Sequence, residues 1–126
     1  MKKTSIAHAG NEHSDWLRSL DFYKTEIGFL KERLTEIAGK NTGKDVEKLI
    51  EHYENQFNLQ TTNIDTLRNT IDKNLELMGE EAQNANGYVD KELLNQYHSL
   101  RNDFYSEERV ILDLRHEFNR FAAEWM

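Results

Sequence analysis

The stretch LLNQYHSLRNDFYSEERVILDLRHEFNRFAAEW, residues 93–125, decides how this chain folds. Within it Leu93, Tyr97, Leu100, Phe104, Glu107, Ile111, Leu114, Phe118, Phe121 and Trp125 recur at alternating steps of four and three, and nine of the ten are apolar or aromatic. In a chain only 37% hydrophobic, that period predicts one long helix with a continuous buried stripe. The exception is Glu107, a carboxylate in mid-stripe.

Two further stretches repeat the pattern. His13, Trp16, Leu20, Tyr23, Ile27, Leu30, Leu34 and Ile37 take the same steps, as do Val46, Ile50, Tyr53, Phe57, Gln60, Ile64, Leu67, Ile71, Asn74 and Met78. Residues 1–10 have no pattern and read as a mobile tail, with Ile6 near the end of the core. Asn11 is the expected cap of helix one and Gly39 its left-handed end. Thr42 to Asp45 resembles a capping box, Gly79 is the expected stop of helix two, and Asn84 to Gly87 forms a turn. Asp90 then caps helix three, with Val89 as a staple on Leu94. The predicted helices span about 12–38, 45–79 and 90–125.

Short connections make sequential neighbours antiparallel. The expected architecture is therefore all-α: one domain over 1–126, an elongated antiparallel three-helix bundle running up-down-up with coiled-coil-like heptad packing. Leu17, Leu49, Leu75, Leu77, Leu94 and Val110 flank the stripes and are expected to widen the core.

Composition narrows the function. A net charge of −7 with dispersed basic residues argues against nucleic acid and anionic membranes, because phosphate binding needs clustered Lys and Arg. There is no cysteine, hence no disulfide or thiolate chemistry, which fits a reducing cytoplasm. Met1-Lys2-Lys3 is followed by no apolar run, so neither export nor a membrane span is expected. No nucleophile constellation is read around the serines, and no Gly-rich phosphate loop follows a strand. One acidic stripe position, His13 as the one inward histidine and no Glu-x-x-His leave a metal centre unsupported.

Folding the hairpins about their turns brings Tyr23, Gln60 and Glu107 to one height, with His13 near Ile71 and Asn74. Tyr23 or Gln60 is expected to donate to Glu107, and Lys24 or Arg109 to supply charge from a flank. The layer reads either as a register pin or as a site in which Glu107 acts as acid, base or ligand. A second pattern lies off the stripes: Phe22 and Phe29 on helix one, Tyr105 and Leu112 on helix three, each pair seven residues apart at comparable heights. Gly28 beside Phe29 suggests close approach of another backbone.

The runs Phe22-Tyr-Lys-x-Glu-Ile27, Arg33-Leu-x-Glu-Ile37, Lys40-Asn-Thr42 and Asn55-Gln-Phe57 resemble an uncharacterised family of small all-helical bacterial proteins. The resemblance covers roughly half the chain and implies a compact helical protein with no transferable activity. The expected function is thus a non-enzymatic, cytoplasmic protein without cofactor that acts through protein contacts, by self-association or as an adaptor. The alternative is a small-molecule or metal-binding bundle around Glu107.

Overall fold

Positions spaced by threes and fours can all be shielded only if each helix turns a single edge inward. A computed structural model describes residues 3–84 and 90–126, and three helices account for nearly all of them: α1 (Lys3–Lys40), α2 (Lys44–Asn84) and α3 (Lys91–Trp125). The eight, ten and ten stripe positions are all buried or half-buried, and among the described residues only Ala9 and Ala122 join the buried set from outside them. At one end the core is aromatic, with Phe57 set edge-on to Phe118 at 5.1 Å and Tyr53 tilted on Phe121 at 4.9 Å. At the other end Trp16 stacks on Phe104 at 5.8 Å.

Side-chain pairs fix the directions. Asp21 meets Arg68 and Lys24 meets Asp65, so numbers rise on α1 as they fall on α2. Glu12 meets Arg101 and Glu26 meets Arg115, fourteen residues on along both chains, so α1 and α3 run parallel in one register. The bundle is up-down-up, with each helix touching both others.

Several boundaries differ from expectation. Residues 3–10 belong to α1, where Ala9 is 2% exposed, so they are not a mobile tail and Asn11 is inside the helix rather than capping it. Burial of Ala9 against the core supplies what local capping lacked. The helix passes through Gly39, whose φ is not positive. It ends instead on Asn41, whose Nδ2 donates to the Ile37 carbonyl at 2.9 Å and the Trp125 carbonyl at 3.1 Å. One amide thereby satisfies orphan carbonyls at the C-termini of two parallel helices. At the start of α2 the Gly43 carbonyl accepts from the Glu47 amide at 3.0 Å, one residue later than a box opening at Thr42. The helix α2 also runs past Gly79 to Asn84. Asp90 caps α3 as predicted, accepting from the Glu92 amide at 3.4 Å. The Val89 staple, and the turn from residue 85 to Gly87, lie outside the described residues. Leu49 and Val110 are 40% and 43% exposed and do not widen the core.

Gly28 approaches no other backbone, since a Cβ built there meets nothing within 4 Å. With a helical glycine's entropy cost and open space around it, Gly28→Ala is expected to stabilise the fold by about 0.5–1 kcal/mol, roughly 2–4 °C in melting temperature. A lower melting temperature by calorimetry would contradict that reading of the site.

Candidate functional site

Two polar layers interrupt the apolar core. In the middle, Gln60 projects inward from α2 and is 3% exposed, facing Glu107 on α3. With its amide nitrogen toward α3, Gln60 donates to both carboxylate oxygens at 2.6 and 3.1 Å, whereas the opposite assignment sets oxygen against oxygen. Burial pushes the Glu107 carboxyl up to about 7, while hydrogen bonds from Asn63 and, in this orientation, from Gln60 favour the ionised form and draw it back. Gln60 is therefore the donor to Glu107, as one arm of the sequence argument predicts.

Tyr23 is not. Its hydroxyl donates to Glu108 Oε2 at 2.6 Å, because the position after Glu107 is the one α3 turns toward α1. Burial and that carboxylate push the phenol up to about 12. Lys24 pairs with Asp65 at 2.8 Å and Arg109 is exposed, so neither neutralises Glu107. Glu107 opens instead onto a shallow cavity of about 250 Å³ beside Asn63, Thr66 and Asp103, which shares Thr70 and Leu100 with a groove of about 720 Å³ between α2 and α3. Asn69, Lys73, Asn95 and Gln96 wall the groove.

The second layer, near the N-terminus of α1, ties all three helices together. His13 is fully buried, its Nδ1 facing the Ala9 carbonyl and its Nε2 2.9 Å from Asn74 Oδ1. Asn74 Nδ2 in turn donates to the Leu93 carbonyl on α3 at 3.3 Å. The imidazole stacks on Tyr97 at 5.2 Å, and the Tyr97 hydroxyl donates to Glu12. Arg101 completes the group, donating to the two Glu12 oxygens at 2.9 and 3.2 Å with its guanidinium over the Tyr97 ring. Burial pushes Glu12 up, but the Arg101 and Tyr97 bonds outweigh it and hold the carboxyl below its ordinary value. Sequence reasoning placed His13 near Asn74 but missed Glu12 and Arg101. Their signal was a heptad relation, since both flank stripe positions on helices that turn out to be parallel neighbours.

These polar groups bond mainly to one another, which positions helices rather than reacting atoms. Among the described residues no three His, Cys, Asp or Glu side chains gather as metal ligands, and no helix is long and apolar enough to cross a membrane.

The off-stripe residues form two outward ridges. Phe22, Phe29 and Tyr105 are 60%, 64% and 52% exposed, while Leu112 is half-buried. On the N-terminal side of Phe22 the α1/α3 seam dips into a cavity of about 390 Å³ lined by Trp16 and Phe104, with Asp15, Ser19 and Tyr105 beside them. Against models of protein families, curated proteins and solved structures, the chain finds no match in any of the three comparisons.

Proposed function

We propose that this chain is a non-enzymatic, cytosolic helical-bundle module that works through protein–protein contacts, with heptad, coiled-coil-like packing holding its contact surface rigid. The observation that carries the reading is the exposure of two aromatic and apolar ridges side by side on the parallel helices α1 and α3. Scattered surface apolars are ordinary, but a phenylalanine repeated at a seven-residue interval, with a second ridge on the parallel helix, gathers exposed apolar side chains on one face, as interaction sites do. The acidic balance directs this surface toward protein rather than nucleic acid.

Affinity capture from the native host tests the proposal, comparing the tagged wild type with a Phe22→Glu/Phe29→Glu variant. Both substitutions are at exposed positions, so circular dichroism should remain unchanged. The variant is expected to lose the specifically retained protein, and retention of the same set by both chains would sink the reading.

A second reading, a small-molecule site, draws on Glu107 alone: its half-buried carboxylate opens onto the α2/α3 groove with no basic side chain among the described residues in salt-bridge reach. Native mass spectrometry and elemental analysis of the purified protein address it directly; a mass equal to the bare chain removes it.

A further inference from the structure

We draw no further inference here: the strongest candidate, the groove between α2 and α3 onto which Asp103 and Glu107 open, belongs to the site already described and rests on two neighbouring carboxylates with no second observation that points to a ligand.

Discussion

Asn74→Leu is expected to destabilise the bundle by about 3 kcal/mol, a fall of roughly 10 °C in melting temperature. Asn74 is 3% exposed and is the one side chain of α2 that reaches both of the other helices in this layer, through His13 on α1 and the Leu93 carbonyl on α3. Leucine fills a similar volume, so the loss comes from polarity rather than from a cavity. His13 has no exposure through which water could replace the missing acceptor, and an unsatisfied buried group costs about 1–3 kcal/mol beyond the bonds removed. Asn74→Asp keeps an acceptor for His13 but deletes the Nδ2 donor, and should lose less than half as much. Calorimetry of the two variants checks the claim. Equal losses would show that the His13 bond is not what stabilises the layer.

Glu107→Gln is expected to raise the melting temperature at pH 8 by about 5 °C and to change it little at pH 5. The Glu107 carboxyl is raised from 4.5 to about 7 by burial, so the folded state holds its proton more tightly than the unfolded chain. Its contribution is fully present below about 4.5 and is lost as pH rises through about 7. Taken whole, such a shift corresponds to roughly 3 kcal/mol; for a partly exposed carboxylate, screening reduces it to about 1.5 kcal/mol. Glutamine removes the charge while its oxygen still accepts from the Gln60 amide, so the pin survives without its penalty. The decisive quantity is the difference between variant and wild type as a function of pH. A difference independent of pH, or a less stable variant at pH 8, would show that Glu107 is not buried at a cost.

Much of this was legible in one dimension. All twenty-eight positions named by steps of three and four are buried or half-buried, because a helix can bury one edge only and most of the chain's large apolar residues fall on that edge. The polar exceptions were legible as well. His13, Gln60 and Asn74 break the apolar pattern and are buried, and Glu107 breaks it and is half-buried. The exposed ridge of Phe22 and Phe29 was visible for the complementary reason, as apolar residues off the stripe.

Which partner each polar group takes was not legible. Height along the bundle is set by turn positions, and it brought Tyr23 to the level of Glu107. The rotation of α3 about its own axis turns Glu108 toward α1 and Glu107 toward α2, so the phenol goes to one carboxylate and the amide to its neighbour. Helix ends failed for a similar reason. Gly39 and Gly79 are local stop signals worth only about 1 kcal/mol each, a cost a long helix can carry, and α1 and α2 run on to Lys40 and Asn84.

Sequence by itself determined three amphipathic helices, their up-down-up order and the level at which the core turns polar, all properties of spacing along the chain. Tertiary structure alone decided the pairing across helices: Asn41 closing two C-termini, the Glu12–Tyr97–Arg101 group, and the division of Glu107 and Glu108 between α2 and α1. Those contacts depend on helix rotation and on side chains about 45–90 residues apart, where no periodicity along the chain carries the information.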